Sequence, residues 1–163
     1  MHLSIEPLSP EYFSGLHNVF DEVCKEERFL AFCAAGTTER THAYYQSVVS
    51  GGHSHFIAVG DGEVIGWCDV LPMFGEMRAH CGVLGLGVAK SARGKGVGRK
   101  LITAALAKAR ARGITRVELT VRADNLVAQS LYKSLGFAVE GLQHKAWQLR
   151  GEYFDVNHMA LVE

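Results

Sequence analysis

The spacing of hydrophobic and polar positions changes period several times along the chain, and each change marks an element. Leu3 to Leu8 reads as a short first strand. Ser9-Pro10-Glu11 then offers a capping hydroxyl and a proline at the first helical position, which predicts a helix to about Lys25. A second helix is expected over Glu39 to Ser50. The segment joining them, FLAFCAAGT, is more apolar than an ordinary connection, as expected of a loop that covers a pocket. From His53 the period falls to two. HFIAVG, Asp61-Gly62 and EVIGWCDVLP read as two strands about a two-residue turn that tolerates positive φ. A third strand, Ala79 to Ala89, is apolar at both parities, so both of its faces should be covered. Glycines 82, 85 and 87 would weaken an ordinary strand and predict a bulge, or the close approach of another backbone or a ligand.

Helical spacing returns at Val97, Leu101, Ala105 and Ala109, with Gly113 as the stop. ITRVELTV then reads as a buried strand, ADNLVAQSLYKSLG as a helix ending at Gly136, and the remainder as two strands around Arg150-Gly151. The order β-α-α-β-β-β-α-β-α-β-β, without repeats, low-complexity segments or linkers, predicts one α/β domain over residues 1–163.

Charge narrows the partners. Acidic and basic residues number 17 each, which gives no reason to expect nucleic acid as a partner. No segment approaches a membrane span, and the N-terminus lacks the pattern of a secretion signal, so a soluble protein without membrane association is expected. Cysteines 24, 33, 68 and 81 form no CxxC pair, which fits reduced thiols and a cytoplasmic location.

One stretch departs from this even balance. KSARGKGVGRK, residues 90–100, places three glycines and five cations between an apolar strand and an apolar helix. A strand entering a helix through such a turn aims free N–H groups at the turn, and glycine lets consecutive amides converge on one anion. Several amides and cations acting together suit a diphosphate better than a lone carboxylate. Two nucleotide loops fail on counting. The P-loop pattern requires a lysine followed by a hydroxyl residue, but Arg99 stands five positions after Gly94 and Leu101 follows Lys100. The dinucleotide fingerprint requires a third glycine where Arg99 stands.

Arg93-x-x-Gly96-x-Gly98 does resemble the R/Q-x-x-G-x-G/A signature of the GNAT superfamily of N-acetyltransferases. VRADNLVAQSLYKSLGF is similar to that family's second motif at Asn125, Ala128, Tyr132 and Leu135-Gly136-Phe137. The tail is similar to small bacterial enzymes that acetylate amino acids or other small amines. The resemblance implies an α/β (α+β) fold with a mixed, mostly antiparallel twisted sheet of about six or seven strands. About four helices flank it, and strands four and five splay apart. It implies direct acetyl transfer from acetyl-CoA to a small-molecule amine, without a metal, by an enzyme that forms homodimers in many relatives. Acetylation of protein N-termini and non-catalytic sensing of acyl-CoA are the alternatives.

Residue by residue, the resemblance places the diphosphate on Arg93, Gly94, Lys95, Gly96, Val97, Gly98 and Arg99, and the pantetheine arm along Leu86, Gly87 and Val88. Ser130 and Lys133 fall on the coenzyme side of the next helix. Tyr132 matches the family's general acid, and a phenol with a reference pKa near about 10 is protonated at neutral pH. Asn125 matches a helix-start asparagine that touches coenzyme or water, although it suits a helix cap equally. The base is open, because Ala79 to Ala89 contains none of the carboxylates common on that strand in the family. His80 is the expected substitute, since histidine titrates near neutrality, with Glu27 as a lesser candidate. Phe29 and Phe32 are candidates for an acceptor pocket beside Glu27 and His80, whereas Trp147, Tyr153 and Phe154 read as core. His53 and His55 lack a third ligand at usable spacing and read as structural, with no metal site.

Overall fold

The computed structural model describes all 163 residues. Its element order is β1 (Leu3–Pro7), α1 (Phe13–Lys25), α2 (Thr38–Ser50), β2 (Ser54–Gly60), β3 (Glu63–Pro72), β4 (Cys81–Val88), α3 (Val97–Ala111), β5 (Arg116–Arg122), α4 (Leu126–Ser134), β6 (Ala138–Leu149) and β7 (Glu152–Val162). The expected succession of helices and strands is present throughout. Both two-residue hairpin turns take the conformation their residues allow, with positive φ at Asp61 and Gly62 and at Arg150 and Gly151. At the first helix, Pro10–Tyr12 forms a 3₁₀ turn ahead of α1, and the Ser9 hydroxyl donates to Glu11 rather than capping a helix.

All seven strands join one sheet in the order β1-β2-β3-β4-β5-β7-β6. Every pairing is antiparallel except β4 with β5. That parallel ladder is short. It joins Cys81, Gly82 and Val83 to Arg116, Val117 and Glu118, and the two strands separate beyond it. The sheet is therefore closed at the start of β4 and split at its end.

Two apolar layers cover the sheet. On one face α3 and α4 bury Leu101, Ile102, Ala105 and Tyr132 against Cys68, Val70, Leu84 and Leu119. On the other, α1 and α2 bury Leu16, Val19, Val23 and Tyr45 against Ile57 and Trp67. Each fully buried aliphatic side chain contributes about 1.5–3 kcal/mol relative to exposure, so both layers hold the split strand firmly.

No bulge occurs at the β4 glycines, because β3 and β4 keep an unbroken register from Gly66↔Val88 to Pro72↔Gly82. The glycines admit side chains instead. A Cβ on Gly87 would lie 2.1 Å from the Trp67 ring, and one on Gly85 would lie 3.2 Å from Asp69 Oδ1. The final hairpin also differs from expectation: Tyr153 is exposed and Trp147 and Phe154 are only partly buried. Trp147 lies on β6, the edge strand, while Phe154 on β7 has the Arg122 guanidinium 3.8 Å from its ring centre.

Candidate active site

The turn from β4 into α3 begins with Lys90–Ala92 as one 3₁₀ turn, after which Gly94 and Gly96 adopt φ of 73° and 78°. A Cβ at either position would meet nothing within 4 Å, so it is the backbone conformation that requires glycine. The amides of Gly94, Lys95, Gly96, Val97, Gly98 and Arg99 donate to no protein acceptor, and the helical ladder starts with Lys100 N–H to Gly96 O at 3.3 Å. Gly98 serves packing. Its Cα faces Leu131 of α4, where a Cβ would sit 3.3 Å from Leu131 Cδ2. A run of unpartnered amides at the start of a 15-residue helix is an anion-binding cradle.

Cations around the cradle are partly engaged. Arg93 donates from Nε to Val88 O at 2.9 Å and from Nη1 to Glu26 Oε2 at 2.8 Å, and its guanidinium lies 4.5 Å from the centre of the Phe29 ring. Arg93 therefore fastens the α1–α2 connection to the turn. Arg99 donates to Ser134 Oγ, and Lys95 Nζ to Ser91 O.

Beside the cradle runs the free edge of β4. Ala89 N–H bonds back to Ile65 O, so in this antiparallel ladder the even-numbered residues direct N–H and C=O away from β3. Leu86 and Val88 thus face the split, where β5 no longer pairs, and the Val88 carbonyl is taken by Arg93. Gly87 faces the other way, toward β3 and Trp67.

Tyr132 stands on α4 beneath the split, 7% exposed, with its ring 5.8 Å from that of Phe137. Burial, with Cys68 nearby, pushes its phenol far above the ordinary range, so it stays protonated. Asn125 is the N-cap of α4, and its Oδ1 accepts from Ala128 N–H at 3.2 Å. Ser130 and Lys133 are exposed on the same helix. Buried Gln129, which sequence did not single out, donates to Arg122 O and Ala123 O and accepts from Asn157. It seats α4 on β5 and β7.

The opposite wall is the α1–α2 connection. Asp21 accepts from Ala35 N–H, Glu26 pairs with Arg93, and Glu27 accepts from Arg150 at 2.6 and 2.8 Å. Arg150 sits in the β6–β7 turn, so one segment bridges the glycine-rich turn and the far hairpin. Glu27 is held in that ion pair, which keeps its carboxyl below the usual range. Phe29 lies under Arg93, while Phe32 is 63% exposed and edges onto Phe20, which in turn packs on Trp67.

His80 is not brought to this wall. It is exposed in the turn before β4, and its carbonyl accepts from Thr115 and Arg116 at the closed end of the ladder. Five strand positions separate it from Gly85, about 16 Å of chain. Because it precedes the strand, alternation does not apply, and its Nε2 approaches Cys81 Sγ at 3.5 Å. Cys81 is buried, and all four cysteines are unpaired.

The carboxylate beside the split comes from β3. Asp69 pairs across with Gly85, and its side chain lies over that glycine. It forms no hydrogen bond or ion pair, and burial raises its carboxyl to about 7. Its signal in the sequence is an acid within the apolar run IGWCDVLP. His55 is buried across from it on β2 with neither ring nitrogen partnered, and burial lowers its pKa to about 4. Glu118, Glu140 and His158 cluster within 4.8 Å, but Arg116 pairs with both acids.

Comparison with known proteins agrees with this geometry. The profile of the Acetyltransferase (GNAT) family matches residues 17–137. The L-amino acid N-acetyltransferase AaaT of Escherichia coli is 31% identical over 113 residues, covering 69% of this chain and 70% of that protein. The L-methionine sulfoximine/L-methionine sulfone acetyltransferase of Pseudomonas paraeruginosa is 30% identical over 105 residues, 61% and 59% of the two chains. The crystal structure of a GNAT-family acetyltransferase from Streptococcus pneumoniae superposes with a TM-score of 0.92 at 26% identity, covering 99% of this chain and all of that one. The split sheet, the amide cradle and these likenesses agree: the chain belongs to the acetyltransferase (GNAT) family, as an N-acetyltransferase that uses acetyl-CoA.

Proposed function

We propose that the protein transfers the acetyl group of acetyl-CoA directly to the primary amine of an amino acid or similar small molecule, with both substrates bound together. The observation that carries this reading is the row of unpartnered amides from Gly94 to Arg99, set where the β4 edge turns free. A diphosphate at those amides directs the pantetheine arm along Leu86 and Val88, where the outward groups of Leu86 and the Val88 N–H pair with its amides as a short extra strand would, the Val88 carbonyl being held by Arg93. The reacting thioester then falls near Gly85, where the split closes. Tyr132, kept protonated by burial, donates to the departing sulfur. Asn125 keeps the helix that carries Tyr132 in place by capping it.

An amino-acid acceptor is supported by the activities named for the two curated relatives. Any such amine must lose a proton before it attacks, since an alkylammonium near 10.4 is neutral only about once in 2,500 molecules at pH 7. The aromatic edges of Phe29, Phe32 and Phe20 suit a partly apolar side chain. Against a protein N-terminus stands the Glu27–Arg150 bridge, which spans the acceptor side where an extended peptide would need an open groove. The four unpaired cysteines suit a reducing, cytoplasmic setting.

Thiol release from acetyl-CoA across L-amino acids, polyamines, aminoglycosides and N-terminal peptides tests this reading. Acceleration by one or more L-amino acids is expected. Coenzyme binding without acceleration by any amine would instead favour a sensor.

A further inference from the structure

The expected carboxylate is absent from β4, yet a carboxylate stands over it. Asp69 projects from the neighbouring strand across Gly85, within 3.2 Å of where a β4 side chain would begin. Gly85 is what makes that reach feasible, because any larger residue would contend with the carboxylate for the same space. Trp67 and Asp69 direct their side chains over Gly87 and Gly85 on the face covered by α1 and α2, so Asp69 lies on the acceptor wall rather than the Tyr132 wall. Its oxygens have no protein donor and are not sealed from solvent. A half-buried carboxylate with a purely structural role is ordinarily paired, and this one is not.

We infer that Asp69 is the general base that deprotonates the acceptor amine, an assignment that rests on the acetyl-transfer function proposed above. The ammonium gives one proton to the Asp69 carboxylate. The freed nitrogen lone pair forms the C–N bond with the acetyl carbon, and the C–S pair leaves with sulfur. Sulfur takes a proton from Tyr132, whose phenol regains one from the second proton the nitrogen sheds. Asp69 then releases its proton to solvent, which completes the balance of ammonium and thioester to amide, thiol and one proton.

The surroundings suit that role. From β2 His55 pairs across from Asp69, from α2 Tyr44 and Tyr45 lie within range of its charge, from α1 Cys24 lies within range of Tyr45, and Cys68 is its chain neighbour. None carries a positive charge at neutral pH: His55 is lowered to about 4, Cys24 is raised to about 11, Tyr44 to about 12, and Tyr45 and Cys68 are raised by burial. No cation holds Asp69 ionised, so it exchanges protons near neutrality, at about 7. A base so poised is ionised in part at neutral pH and can accept the proton of an amine there.

The test compares wild type, Asp69→Asn and His80→Ala in pH profiles of kcat/KM, using the L-amino acid that gives fastest thiol release in the panel above. Wild type and His80→Ala should lose rate below pH 7 with the same acidic limb. Asp69→Asn should be slower on the order of 100-fold at pH 8 and lack that limb, with an unchanged coenzyme Kd. Carbon-13 NMR of the Asp69 carboxyl, which needs no acceptor, should titrate near pH 7. An Asp69 titration near 4, or an Asp69→Asn variant that keeps both rate and limb, overturns the assignment while leaving the acetyl-transfer reading intact. Failure of every amine in wild type overturns the transfer reading itself.

Discussion

The two walls of the split sheet are built in different ways. The wall proposed for the donor is backbone: the unpartnered amides of Gly94 to Arg99, with Leu86 and the Val88 N–H along the free edge of β4. The wall proposed for the acceptor is made of side chains brought together from distant segments: Asp69 over Gly85, Phe29 under Arg93, and Glu27 against Arg150. A backbone site is specified by where glycine must stand, so local spacing encodes it. A side-chain site is specified by which strands are neighbours, which only the fold supplies.

Substitutions can separate the walls, and the largest effect belongs to the cradle. Gly96→Val places a β-branched residue at φ 78° and a side chain among the amides. Losing two charge-assisted hydrogen bonds at about 1.5–3 kcal/mol each should weaken coenzyme binding by on the order of 100-fold or more, measured by calorimetry. The acceptor KM is not expected to be the first casualty.

Tyr132→Phe removes one hydroxyl at the junction of the walls. Its kcat should fall about 10- to 100-fold with little change in coenzyme Kd, read from steady-state kinetics beside calorimetry. Equal losses in kcat and binding would mean that Tyr132 only packs the core.

At Asp69 the sign of the stability effect is diagnostic. A carboxyl raised from 3.8 to about 7 by folding contributes stability below pH 4 that is lost as pH rises through 7. Asp69→Asn should therefore stabilise the protein at pH 8, by up to about 4 kcal/mol, while its activity falls. Thermal melts at pH 5 and pH 8 check this: the gain should shrink at the lower pH, and a variant destabilised at pH 8 would show that Asp69 is structural.

Arg150→Ala probes the outer acceptor wall and should do least. The Arg150 side chain is 71% exposed, and such pairs contribute about 0–1 kcal/mol. A rise of less than about tenfold in acceptor KM, with coenzyme Kd unchanged, is the expected kinetic result.

Sequence carried the donor wall almost completely. Arg93, Gly96 and Gly98 lay in one run, and counting residues excluded the other phosphate loops. It also carried the succession of elements, since each change of hydrophobic period coincides with an observed strand or helix. Even so, Arg93 looked like a phosphate ligand and proves to be a clamp, because Glu26 is 67 residues away in the chain. Asp69 is not legible in the same way, because a base is expected on β4 itself, while the space above β4 is filled from β3. His80 drew attention by parity along a strand, but it stands in the turn before that strand, at the closed end. Trp147 is less buried than alternation suggests for a related reason: whether a strand lies at the sheet edge is a property of topology, which alternation alone does not encode.

The most direct test of the backbone cradle needs no substitution. Calorimetry of the wild-type protein with coenzyme A and with pantetheine, which keeps the thiol arm but lacks the diphosphate, isolates the contribution of the Gly94 to Arg99 amides. Coenzyme A should bind at least about 100-fold more tightly. Equal affinities for the two would contradict the assignment of that turn to the diphosphate.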